Sequence, residues 1–373
     1  MFNHSETAAA KRHLRNRAAA STVDSALVET MDFGPNPGGL KMLSFTPDGL
    51  KPHAPLVVVL HGCTQTAEGF ARNAGWITLA EQCGFVLLAP EQQPTNNLNR
   101  CFRWFKPDDA AREAASIEAM IAHAMRLHRH DAQRVYVTGL SAGGAMTSVL
   151  LATYPEVFAA GAIVAGLPFG IADSAASAWS AMSGRRSGSA DLAAVVQRAS
   201  PLATARPRVS IWHGDADVTV HAANADDIAL QWVGVHGLTM KDCETETIEG
   251  RTRTQWLSSR TGEAVVETNI VHGLGHGMPL ATLGDDAIGA VAPHMLEAGV
   301  SAAREIARFW GLLNTTARSL PEAEPRVGAG KKARQLTGAV PLGDRVLASL
   351  TDHVSADVEA IIAKALKSAG LKR

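Results

Sequence analysis

The stretch Gly139-Leu140-Ser141-Ala142-Gly143-Gly144 restricts the fold of this chain more than any other. Residues 134–138 before it read RVYVT, a β-branched run with the character of a strand. Residues 145–154 after it read AMTSVLLATY, a helical run. A strand that turns into a helix this abruptly leaves no room for side chains at 139 and 143, and both are glycine. Ser141 is thereby carried to the tip of the turn with its hydroxyl exposed. A helix N-terminus lies behind it, where negative charge is favoured. The pattern G-x-S-x-G means little in arbitrary context; between strand and helix it marks Ser141 as a candidate nucleophile.

The turn belongs to a longer alternation. Residues 56–60 (LVVVL), 85–89 (FVLLA, stopped by Pro90), 161–165 (GAIVA), 209–212 (VSIW) and 264–271 (AVVETNIV) read as further strands. Residues 109–128 carry Ile117, Met120, Ile121, Ala124 and Leu127 at helical spacing. Residues 302–313 carry Ile306, Phe309, Trp310 and Leu313 on one face. This order predicts an α/β fold, with a mostly parallel central sheet and helices on both faces. Hydrophobic residues make up 46% of the 373, enough for a sizeable core and against wholesale disorder. A formal net charge of −1 argues against a polycation built to hold nucleic acid. Four cysteines are too few for a disulfide framework. No apolar run approaches the length of about 18 residues that a membrane span needs.

Composition divides the chain unevenly. Residues 1–45 are expected to form an N-terminal appendage and a first strand region. Its basic residues Lys11, Arg12, Arg15 and Arg17 lie among alanines, without the apolar centre of a secretory signal. The expected compartment is therefore the cytoplasm, with secretion by another route left open. Residues 46–313 hold the strand–helix alternation and are expected to form the domain that carries Ser141. Within it, 166–207 is rich in Ala, Ser and Gly and too long for a bare loop. It is expected to hold helices of its own, as a small cap-like insertion. Residues 314–340, with Pro321, Pro325, Gly328 and Gly330, read as a linker. Residues 341–373 read as an amphipathic helix whose stripe includes Val346, Leu350, Val354, Ile361 and Leu366. Such a stripe suits docking on the domain, a homodimer contact, or a granule surface.

A serine hydroxyl needs a base, and the base needs an orienting acid. On an α/β scaffold of this kind they follow in the order acid, then histidine. The acid candidates are Asp215, Asp217, Asp226 and Asp227. Asp217 is preferred, because it lies early in the loop that leaves the strand at 209–212, close to the strand's C-terminal edge. The base candidates are His272, His276 and His294. His276 is preferred, because Gly273-Leu274-Gly275-His276-Gly277 is a flexible loop just beyond a strand. His272 reads as structural, and His294 as solvated or packed. Two backbone N–H groups are expected to receive a developing oxyanion, those of Ala142 and of Cys63 in the loop after LVVVL-His61-Gly62. His61 reads as a structural hydrogen-bonding residue. No C-x-x-C or H-E-x-x-H spacing points to a metal, and no cofactor is called for.

These blocks resemble the polyhydroxybutyrate depolymerase family of esterases, a branch of the α/β-hydrolases. The resemblance rests on LHGCTQ at 60–65, NRCFRWF at 99–105, GLSAGGAM at 139–146, AGLPFG at 165–170, WHGDADVTV at 212–220, GLGHGMP at 273–279, and APHMLEAG followed by IARFWG within 292–311. It implies the α/β-hydrolase fold and a serine esterase with Ser141, Asp217 and His276 as triad and Cys63 at the oxyanion. Its implied substrates are short-chain hydroxyalkanoate oligomers or polyester, or feruloyl and acetyl esters of plant polysaccharides. Acyl transfer or peptide hydrolysis on the same scaffold, and a non-catalytic granule-binding protein, are the rival readings. Trp104, near blocks that border the family's site, is expected to line the acyl pocket. Met278 stands where the family often has an aromatic residue, and is expected to form a softer pocket wall. The resemblance also puts Cys63 and Cys101 where the family's cysteines lie close together, which allows a disulfide that a reducing cytoplasm would disfavour. Cys83 and Cys243 read as buried free thiols.

Overall fold

The strands in chain order are β1 (Val28–Thr30), β2 (Lys41–Phe45), β3 (Leu56–Leu60), β4 (Val86–Glu91), β5 (Val135–Leu140), β6 (Ala160–Val164), β7 (Arg208–Gly214), β8 (Cys243–Ile248), β9 (Arg251–Leu257), β10 (Ala264–Val271), β11 (Met278–Leu280) and β12 (Met295–Glu297). The helices are α1 (Ala67–Asn73), α2 (Trp76–Cys83), α3 (Pro107–His128), α4 (Ala142–Thr153), α5 (Ala175–Met182), α6 (Leu192–Ala199), α7 (Ala223–Val235) and α8 (Ala302–Phe309). This computed structural model describes residues 25–313 except 129, 130, 132, 186–190, 249, 285 and 286. The basic N-terminal stretch, the linker at 314–340 and the amphipathic helix at 341–373 lie outside the described residues.

Ten strands form one sheet in the order β1-β2-β4-β3-β5-β6-β7-β10-β9-β8 among the described residues. The six central strands, β4 through β10 in that order, are parallel. Antiparallel strands flank them on both edges. Alternation along each parallel strand feeds two cores. Leu56, Val58 and Leu60 of β3 join Met120 of α3, Leu150 of α4 and Trp232 of α7 on one face. Val57 and Val59 join Phe70 of α1, Trp76 of α2 and Ile306 of α8 on the other. Burial on both faces explains why these strands read as unbroken apolar runs. Full burial of each such Val, Leu or Ile contributes about 1.5–3 kcal/mol. The architecture is the α/β-hydrolase fold, with its mostly parallel sheet between two helical layers.

Several details depart from the sequence reading. Strand β4 runs through Pro90, which pairs with Met42 of β2. The ladder with β3 ends at Leu88, so the missing proline N–H is not needed on that side. Residues 28–45, set apart from the main domain on composition, supply two strands of the same sheet. Helix α8 stops at Phe309, because Gly311 takes a left-handed φ of 77° just beyond it. The insertion at 166–207 carries α5 and α6. Helix α6 packs on α4 and α7 within the helical layer. Strand β8 (CETETI) has no apolar alternation and is held by pairing with β9. Cys243, expected to be buried, is exposed on that edge strand, and Cys83 is half-buried.

Candidate active site

The parallel strands deliver their C-terminal ends to one edge of the sheet, where ligands meet such sheets. At the end of β5 the chain reverses into α4 through Ser141, whose φ of 57° and ψ of −116° lie outside the ordinary regions for an L-residue. Tight packing enforces this. A Cβ on Gly143 would lie 2.6 Å from the His61 carbonyl oxygen and closer still to that of Leu60. A Cβ on Gly139 would strike the Gly143 carbonyl. The first turn of α4 is therefore pressed against the end of β3, where the loop carrying Gly62 and Cys63 begins. The Ser141 N–H donates to Val164 O at 2.9 Å, pinning the turn to β6. Ala142 opens α4, where first-turn N–H groups have no partner within the helix.

The loops after β7 and β10 bring the preferred acid and base to this serine. His276 Nε2 lies 2.9 Å from Ser141 Oγ, and His276 Nδ1 lies 2.7 Å from Asp217 Oδ2. A carboxylate only accepts, so Nδ1 carries the proton and the Nε2 lone pair faces the hydroxyl. Asp217 is 4% exposed. Its Oδ1 accepts the N–H groups of Thr219 and Val220 at 2.8 and 2.9 Å. Burial alone would raise its pKa. The hydrogen bonds from His213, His276 and Val220 N–H outweigh burial and hold the carboxyl well below the usual range. The acid is thus ionised wherever its histidine is to be oriented.

The other acid and base candidates have different places. Asp215 Oδ2 lies 3.0 Å from His272 Nδ1, and Asp215 Oδ1 accepts the Gly273 N–H at 2.7 Å. This exposed pair staples the acid loop to the start of the histidine loop, and Ala216 N–H adds a bond to Leu274 O at 3.1 Å. Asp226 and Asp227 lie in α7. His294, read as solvated or packed, stands beside His276: its ring is edge-on with centroids 5.6 Å apart, and its Nδ1 lies 3.2 Å from the His276 carbonyl. His213 is a residue that sequence reasoning missed. It is buried, with Nε2 at 2.7 Å from Val220 O and 3.4 Å from Asp217 Oδ2. Its place four residues before Asp217, at a strand end, was the available signal.

The loop after β3 is anchored on two sides. Cys63 and Cys101 form a disulfide, and Thr64 N–H donates to Asn99 O at 2.6 Å. On the other side Gln65 Oε1 accepts the Gly62 N–H at 2.8 Å, and Gln65 Nε2 donates to Pro293 O at 3.3 Å. Gln65 thereby ties this loop to the segment that holds His294. Trp104 is half-buried and packs against Ala145, Leu167, Ala181 and Val220, a cluster just beyond Ser141 and Asp217. Met278 is fully buried in the core, against the expectation that it walls the pocket. Residues 278–280 pair with 295–297 as β11 and β12, and Met278 packs in the core cluster that holds Trp76 and Ile306. Among the described residues no group of His, Cys, Asp or Glu side chains could hold a metal ion.

A hydroxyl, an imidazole and a buried carboxylate in series are equipped for acyl transfer. Known proteins point the same way. The family described as esterase PHB depolymerase matches residues 41–256. The chain is 38% identical to poly(3-hydroxyalkanoate) depolymerase C of Paucimonas lemoignei over 302 residues, 79% of this chain and 72% of that one. It is 32% identical to feruloyl esterase B of Talaromyces stipitatus over 271 residues, 68% of this chain and 73% of that one. The solved acetyl xylan esterase of Aspergillus awamori superposes with a TM-score of 0.64 at 24% identity, covering 77% of this chain and 99% of its own, which shows the shared fold. The chain belongs to the esterase PHB depolymerase family and is a carboxylic ester hydrolase.

Proposed function

We propose that the enzyme is a serine esterase that hydrolyses short-chain hydroxyalkanoate esters, as oligomers or polyester, through an acyl-enzyme. The unbroken hydrogen-bond series Ser141–His276–Asp217 carries this reading. Ser141 Oγ attacks the ester carbonyl while His276 Nε2 takes its proton, and the Asp217 carboxylate stabilises the resulting imidazolium. The N–H groups of Cys63 and Ala142 receive the oxyanion. On collapse His276 returns the proton to the leaving alkoxide. Water, deprotonated by His276, then attacks the acyl-enzyme and releases the hydroxy acid.

Similarity to the Paucimonas depolymerase favours the hydroxyalkanoate substrate. Exposed apolar side chains on neighbouring segments also support it: Val218, next to Asp217, is 96% exposed, and Trp179, on the helix α5 whose Ala181 packs with Val220, is 70% exposed. Similarity to feruloyl and acetylxylan esterases supports a second reading, esters of plant polysaccharides. The Cys63–Cys101 disulfide favours work in an oxidising compartment over the cytoplasm. The test is a panel of hydroxybutyrate oligomers, p-nitrophenyl butyrate, feruloyl and acetyl esters, run on wild type and Ser141→Ala. The reading expects the highest kcat/KM on hydroxybutyrate oligomers and no turnover by the variant. Preference for the feruloyl or acetyl esters selects the second reading, and full activity in Ser141→Ala ends both.

A further inference from the structure

We infer that His61 is a positioning residue for the oxyanion hole: its ring turns the Gly62–Cys63 peptide so that the Cys63 N–H faces the reacting carbonyl. The inference rests on the serine-esterase reading above and adds a residue to it. His61 is fully buried at the end of β3, with its ring against Phe102 at a centroid distance of 5.1 Å. The backbone N–H of Gln92 donates to His61 Nε2 at 3.0 Å. That bond settles the tautomer: Nε2 is the acceptor, so the proton sits on Nδ1. Nδ1 lies 2.7 Å from the carbonyl oxygen of Gly62 and donates to it. Gln92 is itself braced, because its side chain donates to the buried Glu113 at 2.6 Å.

The consequence follows from peptide geometry. No peptide bond among the described residues is cis. In a trans peptide the C=O of one residue and the N–H of the next point in opposite directions. Holding the Gly62 oxygen against the buried imidazole therefore turns the Cys63 N–H outward, and that N–H makes no hydrogen bond among the described residues. The turn of α4 lies against the carbonyls of Leu60 and His61, which brings this loop beside Ser141. The disulfide and the Thr64–Asn99 bond fix where Cys63 sits; the imidazole fixes how its peptide plane is turned. Oxyanion donors act only when aimed at the place where charge develops, so a misdirected N–H lowers kcat and leaves KM largely alone.

Two amide replacements separate the ring nitrogens. Asn at 61 places a donor where Nδ1 stood, and Gln places an acceptor where Nε2 stood. His61→Gln is expected to lose kcat by about tenfold or more with KM little changed, and to lose affinity for a trifluoromethyl ketone by a similar factor; its Tm also falls, because the buried Gly62 carbonyl loses its donor. His61→Asn is expected to keep kcat within about threefold at a comparably lowered Tm, because the Gln92 N–H loses its acceptor. A purely structural histidine gives both variants the same loss of activity, following Tm. Wild-type kcat in His61→Gln, or a loss of kcat in folded His61→Asn matching its loss of Tm, overturns the role; the second measurement stands even if the Gln variant does not fold. Ser141→Ala, run alongside, separates the two levels. Hydrolysis by that variant overturns the serine-esterase reading itself. An inactive Ser141→Ala beside a fully active His61→Gln overturns only the positioning role.

Discussion

His294 stands edge-on to His276, with ring centroids 5.6 Å apart, and reaches the backbone carbonyl of the same residue through Nδ1 at 3.2 Å. His276 has a side chain only 8% exposed, while His294 is exposed and takes a left-handed φ of 62°. One imidazole thus shelters the other from solvent, from a backbone conformation that β-carbon residues seldom adopt.

Removing that shelter should act on catalysis more than on folding. His294→Gly relieves the left-handed backbone and removes both the ring contact and the hydrogen bond. The lost contacts are worth about 1–2 kcal/mol together. We expect kcat/KM for p-nitrophenyl butyrate to fall about three- to thirtyfold with Tm unchanged or raised. Unaltered kcat/KM would show that His276 is held by Ser141 and Asp217 alone.

Asp217→Asn tests the acid with shape conserved. The carboxamide can present its NH2 group to His276 Nδ1, which then becomes the acceptor and leaves the proton on Nε2, facing the serine. The imidazole is then in the wrong tautomer to act as base. A fall in kcat of about four orders of magnitude is expected. The backbone N–H groups of Thr219 and Val220 can still donate to the amide oxygen, so circular dichroism should be unchanged. Loss of less than about tenfold would move the acid role elsewhere.

Ser141, Asp217 and His276 were legible because each lies just beyond an apolar strand, in a turn marked by glycine. Local sequence therefore reports both the strand and its end. His294 was not legible. It reaches His276 only because Met278–Leu280 pairs in parallel with Met295–Glu297, a register between two short segments that carry no signal of their own. Met278, whose place after His276 suggested a pocket wall, is buried in the same segment. Gln65 acts through a side-chain bond to Pro293, 228 residues on, and His213 through one to Val220 across a loop, and no periodicity reports either. Strand β8, polar on both faces, is a strand because β9 lies beside it.

The disulfide anchors the loop after β3, which is proposed to receive the oxyanion, so its loss should lower both stability and turnover. Cys63 and Cys101 are 38 residues apart in sequence, and closing a loop of that size contributes about 2–4 kcal/mol. Cys101→Ser keeps the volume and leaves the Thr64–Asn99 bond as the remaining tie on that side. We expect a lower Tm and a reduced kcat, with dithiothreitol reproducing both in the wild type and neither in the variant. An unchanged kcat in the reduced wild type would show that the remaining hydrogen bonds suffice to hold the loop.

Glu113 gives the fold a pH dependence of definite sign. The residue is 3% exposed, and burial pushes its pKa up to about 7, although the Arg103 N–H and the Gln92 side chain both donate to it. In the unfolded chain it releases its proton near 4.5. Between those values the folded protein holds a proton that the unfolded chain has lost, so this residue makes stability fall as pH rises. The contribution reaches about 3 kcal/mol above pH 7 and vanishes below about pH 4.5. Glu113→Gln removes the titration and, at every pH, also loses the bond from the Arg103 N–H, a constant offset. The measurement is therefore the slope: Tm of the variant minus Tm of the wild type should rise from pH 4.5 to pH 7 and level off above it. A flat difference across that range would mean that Glu113 is ionised in the folded protein throughout, with its hydrogen bonds outweighing its burial.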